Sequence, residues 1–335
     1  IAHRGPDDEG FWQDPTRSVV MGHRRLSILE LSPAGHQPMM SEDGRYVLVF
    51  NGEIYNHLTL RQQLSLQGHS FQWRGHSDTE TMLACFQAWG VEKTLKNLSG
   101  MFAIALWDKS TKHLYLARDP MGEKPLYYGF QQGIFLFGSE LKALKAHPVF
   151  QGEVNRDALA LLLRHNYIPA PFSIYKDIYK LMPGEYLTLN AKDQTTHIEA
   201  YWSLAEVAMK GSANRLDGSS EDINEQVHQT LRKSVSEQML SDVPIGALLS
   251  GGIDSTTIVA IMQDVSSQPI KTFTIGFEEA GYDEACHARK IANFLGTDHT
   301  EMRLSSQDAL DLIPRMPFIY DEPFADSSQL PTFLV

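Results

Sequence analysis

Cysteine is almost missing from this chain: Cys85 and Cys286 are the only two in 335 residues. They offer no disulfide framework, and a reduced, cytoplasmic chain is expected. Long apolar runs are missing too. No stretch of about eighteen apolar residues occurs, so no transmembrane helix is expected. No basic-then-apolar leader opens the chain, so no signal peptide is expected either. Positive charge is scarce: 29 Lys and Arg stand against 41 Asp and Glu, a formal net charge of -12. A balance that acidic repels phosphate-rich surfaces, so neither nucleic acid nor membrane is expected as a partner. Small anionic ligands stay open where a backbone nest or a metal ion meets them. Internal repeats and low-complexity tracts are also lacking.

What is present suits two soluble domains: 42% of residues are hydrophobic and 21% charged over a length generous for one core. The chain opens at Ile1 rather than Met and enters His3-Arg4-Gly5-Pro6-Asp7 without lead-in. It stops inside the apolar stretch Thr332-Phe333-Leu334-Val335. An internal fragment of a longer protein is therefore expected.

The first two hundred residues read as strands with two helices among them. Tyr46 to Phe50 is a β-rich run that the turn signal Asn51-Gly52 is expected to end. Met101 to Trp107 and Leu114 to Ala117 flank the hairpin signal Asp108 to Lys112, and Gln131-Gln132-Gly133 marks another hairpin. Helices are expected at Leu58 to Gln67 and Asp78 to Trp89. Hairpins plus helices argue for a layered α+β domain. Glu206 to Asp222 is small and polar without an apolar period, which reads as a linker. Beyond it the pattern alternates. A helix over Ile223 to Met239 leads into a strand at Ile245 to Leu249, then a helix from Ser255 to about Asp264. A strand at Lys271 to Phe277, a helix at Glu284 to Leu295 and a strand at His299 to Leu304 complete the series. Such alternation predicts a parallel, doubly wound sheet.

Ligands of such sheets bind beyond the carboxyl ends of the strands, which is where Ser250-Gly251-Gly252-Ile253-Asp254-Ser255 falls. Gly251 and Gly252 let successive N–H groups curl around one anion, and the following helix dipole adds to the attraction. Ser250 and Ser255 can donate hydroxyl hydrogen bonds. Asp254 would repel phosphate unless it holds a divalent metal ion. No Gly-Lys-Ser/Thr follows, so this is not a Walker A loop. The hexapeptide resembles the loop of the ATP pyrophosphatase family, which binds ATP through its pyrophosphate and lets a nucleophile attack the α-phosphorus. That resemblance implies Mg2+ at Asp254 and an adenine flanked by Leu248 and Ile275, the latter within Thr272 to Phe277. Both are equally readable as strand core.

Five further segments match one family in order. They are Gly22-His23-Arg24-Arg25-Leu26-Ser27-Ile28, Gly35-His36-Gln37-Pro38-Met39, Phe50 to Asn56, Ser77-Asp78-Thr79-Glu80, and Ala117-Arg118-Asp119 with Gly122 and Lys124 to Tyr128. Together they resemble the class II glutamine amidotransferase domain, and with the loop they resemble the glutamine-hydrolysing asparagine synthetase family. The fold implied is an N-terminal-nucleophile-type αββα sandwich over 1–205, a linker at 206–222 and an ATP-pyrophosphatase domain over 223–335. Free glutamine carries a carboxylate, an ammonium and an amide. The resemblance assigns the carboxylate to Arg25 and the ammonium to Asp78. It assigns the oxyanion hole to Asn51 and Gly52, and a further substrate contact to Glu53. Each has a plainer reading: Arg25 as a surface charge, Asn51-Gly52 as a hairpin turn, Asp78 as a helix cap.

That family attacks glutamine with an N-terminal cysteine and its own amine, which would lie upstream of His3. Cys85, inside a helix pattern, reads as buried and structural, and Cys286 lies in the second domain. The fragment alone is therefore expected not to hydrolyse glutamine. Asp321 to Ser328 resembles a later stretch of the family. The implied substrates are glutamine, aspartate and ATP, with a homodimer left open. Amidation of a sugar acid or another carboxylate, or a non-catalytic relative, are the alternatives.

Overall fold

The structure, a computed structural model, describes residues 1–16, 18–277 and 285–334. It divides into two units, Ile1–Asn214 and Arg215–Val335.

Unit 1 begins with β1 (Asp8–Gln13), β2 (Val20–Arg25), β3 (Met39–Met40), β4 (Tyr46–Ile54), α1 (His57–Leu66), α2 (Asp78–Trp89) and α3 (Val91–Asn97). It continues with β5 (Gly100–Asp108), β6 (His113–Arg118), β7 (Tyr127–Gln131), β8 (Ile134–Gly138), α4 (Leu141–Lys145) and α5 (Arg156–His165). β9 (Ile178–Lys180), β10 (Glu185–Asn190), β11 (Thr196–Ala200) and α6 (Leu204–Ala213) close it. Six strands form one sheet in the order β11-β10-β6-β5-β4-β3, every neighbouring pair antiparallel. The strands β8-β7-β9 and the hairpin β1-β2 make a second layer.

The layering follows from period-two alternation. Tyr46, Leu48 and Phe50 of β4 share one face with Phe102, Ile104 and Leu106 of β5, and pack on Leu60, Leu64, Met82 and Phe86 of α1 and α2. Val47, Val49, Ala103, Ala105 and Trp107 point the other way, toward Met21, Tyr128, Phe130 and Phe135 of the second layer. That layer's outer side carries Leu136 and Ile178 against Leu141, Leu144 and Ala158 of α4 and α5. The result is helix, sheet, sheet, helix: the expected αββα sandwich. The expectation of two helices here fell short. α4 has five residues, too few to show a period, and α5 buries only Ala158.

One turn signal misled. Asn51-Gly52 does not end β4, which pairs with β5 through Ile54; Asn51 stands opposite Ala103 and Gly52 opposite Phe102. Gly52 is a glycine for another reason. A Cβ there would fall 1.9 Å from the Met101 carbonyl oxygen, so the two strands approach too closely for any side chain.

Unit 2 contains α7 (Ser220–Gln238), β12 (Gly246–Leu248), α8 (Ile253–Val265), β13 (Lys271–Phe277), α9 (Ala285–Leu295), β14 (Asp298–Leu304) and α10 (Ser306–Leu312). β12, β13 and β14 are parallel neighbours in that order. Val259 of α8 and Ala288 and Ala292 of α9 pack with Leu249 in one cluster. Glu284, expected to begin the α9 helix, lies outside the described residues, as does Val335.

The stretch expected to be a linker, Glu206 to Asp222, is largely helical, because α6 runs to Ala213 and α7 starts at Ser220. Ser203 caps α6 by accepting from the Glu206 N–H, and good helix formers carry it although none of its residues is buried. Its apolar residues Leu204, Val207 and Met209 are all exposed. Among the described residues, no helix is long and apolar enough to cross a membrane.

Candidate functional site

Arg25, Asn51, Gly52, Glu53 and Asp78, drawn from three separate segments, line one cavity of about 360 Å³ in unit 1. β2 delivers Arg25, the end of β4 delivers Asn51 to Glu53, and the first residue of α2 is Asp78.

Arg25 is buried, not a surface charge. Its guanidinium donates to the carbonyls of Leu29 at 3.0 Å, Ser32 at 3.3 Å and Glu30. Gly35 makes room for it, since a Cβ at that position would sit 1.9 Å from an Arg25 terminal nitrogen. Three of the five N–H groups of the guanidinium thus hold the loop after β2. Both N–H groups of Nη2 and one of Nη1 are used in this way, so the bidentate fork expected to clamp a carboxylate is already engaged by the protein.

Asp78 is buried as well, and it is not the helix cap. Ser77 caps α2 by accepting from the Glu80 N–H. The Asp78 carboxylate instead accepts from the N–H groups of Ile54, at 2.9 Å, and Thr79, at 2.7 Å, which ties α2 to the end of β4. Burial pushes its carboxyl above the usual carboxylate range, against the pull of those bonds. Glu53 is raised too, by burial and then by the Asp78 charge, with Lys124 opposing. Two neighbouring carboxyls that would each gain from a cation make a natural seat for an ammonium. The Asn51 amide donates to Ser139 Oγ at 3.0 Å, which fixes its orientation at the cavity wall.

Sequence reasoning gave no role to His23, Gln37 and Lys124, which line the same cavity. His23 approaches the Phe50 carbonyl through Nε2 at 3.0 Å, and burial lowers its pKa, so the neutral ring is favoured. Gln37 accepts from the Phe50 N–H at 2.7 Å. Both brace the strand carrying Asn51 and Gly52. The Arg118-Asp119 segment proves to be a scaffold. Asp119 accepts from the N–H groups of Met121, Glu123 and Lys124, while Arg118 donates to the carbonyls of Gly122, Lys124 and Leu181. Their turn carries Lys124 to the cavity. All these residues sit inside the motifs quoted above, but a supporting role leaves no separate trace in spacing.

In unit 2 the six residues Ser250 to Ser255 join the end of the β12 strand to α8. Gly251 has φ +84, and its missing Cβ would lie 3.2 Å from both the Ala288 nitrogen and the His287 Cβ of α9. Gly252 is the N-cap of α8 and no side chain caps the helix, so its first N–H groups have no side-chain acceptor. The hydroxyls of Ser250 and Ser255 lie 3.0 Å apart across the loop. Asp254 is exposed in the first turn. Leu248 is 65% exposed and Ile275 half-buried, on strands paired so that Leu248 neighbours Phe273. Phe273, 37% exposed, shares the face of Leu248 and Ile275 and was not singled out by sequence. Leu248 is therefore not strand core but part of an open apolar shelf beside the loop.

Comparison with known proteins agrees with this division. Residues 1–202 match the family described as glutamine amidotransferase domain, and residues 226–335 match asparagine synthase. Over its whole length the chain is 34% identical to a putative asparagine synthetase (glutamine-hydrolyzing) 2 of Methanocaldococcus jannaschii, covering 66% of that protein. It is 35% identical to asparagine synthetase (glutamine-hydrolyzing) 1 of Bacillus subtilis, covering 50% of it. An amidase, chry2, of Gibberella zeae is 33% identical over 89% of this chain and 45% of its own length. The chain spans about half to two thirds of the length of these relatives.

Proposed function

The chain belongs to the glutamine-hydrolysing asparagine synthetase family, and we propose on that premise that it serves glutamine-dependent asparagine synthesis. In this reading ATP, aspartate, glutamine and water yield AMP, diphosphate, asparagine and glutamate. The observation that carries it is the meeting of Arg25, Asn51, Gly52, Glu53 and Asp78 around one cavity.

Glutamine enters that cavity with its ammonium toward Asp78 and Glu53 and its carboxylate toward Arg25. The amide carbonyl then faces Asn51 and the Gly52 N–H, which stabilise the oxyanion as a thiolate attacks. Cys85 is not that thiolate: it is fully buried and its thiol is pushed up to about 12. Cys286 belongs to unit 2. The N-terminal cysteine of this reading is not among the 335 residues, so the residues described here bind and orient glutamine.

In unit 2, ATP lays its pyrophosphate on the loop amides and the hydroxyls of Ser250 and Ser255, with adenine between Leu248 and Ile275. The aspartate carboxylate attacks the α-phosphorus, diphosphate leaves, and ammonia displaces AMP from the β-aspartyl-adenylate. Asp254 fits a divalent cation: its exposed carboxylate has no ion-pair partner among the described residues. Among the described residues no group of three or more potential ligands gathers, and Asp254 is the residue of this loop that would hold Mg2+. When bound, the ion would screen the diphosphate charge.

A second reading, amidation of another carboxylate, rests on the fungal relative that bears the name amidase. Aspartate-dependent exchange of labelled diphosphate into ATP separates the two. Exchange with aspartate supports asparagine synthesis. Exchange with a different carboxylate alone sinks that assignment and favours the second reading.

A further inference from the structure

The inter-sheet core of unit 1 stops short of one edge. Leu187 and Leu189 of β10 face the second layer and are buried. Register places Ile198 of β11 beside Leu187 on that same face. Yet Ile198 is 41% exposed, and every residue of β11 is exposed. Across from it stand the rings of Tyr128, Phe130, Phe135 and Tyr179. Phe130 and Phe135 meet edge to face at 5.1 Å, and Tyr128 and Tyr179 lie 6.0 Å apart. Between the two layers remains a cleft of about 720 Å³, a size that suits a small organic ligand.

The ionised groups lining this cleft are two carboxylates and one ammonium. Glu185 and Asp177 line it, and neither has an ion-pair partner among the described residues. Lys180 also borders it, but alternation along β9 turns its side chain to the opposite face with Ile178. There its Nζ donates to the Ile168 carbonyl at 2.6 Å and stands 5.9 Å from the Tyr127 ring. Burial pushes the Glu185 carboxyl up, and burial together with the Glu185 charge pushes the Tyr128 hydroxyl up to about 12. A positive charge in the cleft would favour the ionised form of Glu185.

We propose that this cleft binds a small organic ammonium with an aromatic or aliphatic body, the rings taking the body and Glu185 the charge. Aromatic faces attract cations directly, and the unpaired carboxyl adds Coulomb attraction. An anion of the same shape would meet two carboxylates. Nothing in the proposal depends on the glutamine cavity or the nucleotide loop, since none of their residues lines the cleft.

The test titrates the full chain with three matched probes, phenethylammonium, 2-phenylethanol and 3-phenylpropionate, followed by ligand-observed NMR. The ammonium is expected to bind about tenfold more tightly than the alcohol, and the carboxylate not at all. Glu185→Gln should bring the ammonium down to the level of the alcohol, and Tyr179→Ala should weaken both. Equal binding of all three probes to the unmodified chain overturns the proposal even if a variant misfolds. So does a charge preference that survives Glu185→Gln. Absence of any binding also overturns it, including the case where sedimentation shows a dimer that Ile198→Asp dissolves.

Discussion

The two units hold their candidate ligands by opposite means. In unit 1 the site is built from side chains already held by the protein: buried Arg25 by three loop carbonyls, buried Asp78 by two backbone N–H groups, and half-buried Asn51 by the Ser139 hydroxyl. In unit 2 the site is mostly backbone and lies in the open, with Asp254 exposed, Ile253 86% exposed and Leu248 65% exposed. A preorganised pocket resists change in its own scaffold, whereas an exposed loop can lose its ligand without losing its fold.

Matched glycine substitutions test that contrast most severely. Gly52→Ala drives a methyl group to 1.9 Å from the Met101 oxygen in the middle of the β4–β5 pair, and should cost unit 1 about 3 kcal/mol or more. Gly251→Ala meets nothing nearer than 3.2 Å, and should cost about 1 kcal/mol while greatly weakening ATP binding. Denaturant unfolding of both variants gives the comparison. Equal costs would break it.

Matched acid substitutions come next. Asp78→Asn removes the charge opposite the glutamine ammonium and should weaken glutamine binding about a hundredfold, leaving ATP affinity unchanged. Asp254→Ala should do the reverse, abolishing magnesium-dependent ATP turnover and sparing glutamine affinity. Calorimetry with each ligand reads both, and a variant that loses both ligands would show that the two sites are not independent.

Gly35→Ala is a subtler probe of preorganisation. Its methyl group takes the place of the Arg25 guanidinium, so glutamine affinity should fall about tenfold with a smaller change in stability. Unchanged affinity would mean that Arg25 serves only the loop.

The smallest effect concerns acid. Burial raises the Asp108 carboxyl, but hydrogen bonds from Arg45 and Ser110 outweigh it and hold the group well below the usual carboxylate range. A depressed carboxyl stabilises the fold at neutral pH, and that contribution fades as pH falls through the ordinary carboxylate range and below. Arg45 is 41% exposed, so solvent screening limits the pair to about 1 kcal/mol. Arg45→Met should flatten the acid limb of the stability curve below about pH 4. An unchanged limb would assign the effect to other carboxylates.

Much of both units was legible in the sequence, for reasons particular elements make plain. Asp78–Trp89 and Lys271–Phe277 begin and end where expected, because a Ser cap and a glycine stop bound the first and parallel neighbours the second. The five cavity residues were legible as one set because they recur in ordered motifs. Asn51-Gly52 misled because the same dipeptide serves a turn by its positive φ and a strand pair by its lack of a Cβ. α6 was missed because it buries nothing. The dual engagement of Arg25, the bracing by His23 and Gln37, and the shelf residue Phe273 depend on contacts between distant segments, which spacing alone does not record.

Binding of L-glutamine to the chain, compared by calorimetry with glutaramate, which lacks the α-ammonium, tests the central claim most directly. If Asp78 and Glu53 seat the ammonium, glutamine binds one to one and glutaramate at least about a hundredfold more weakly. Equal binding of the two, or binding of neither, would contradict the assignment of the unit 1 cavity to glutamine.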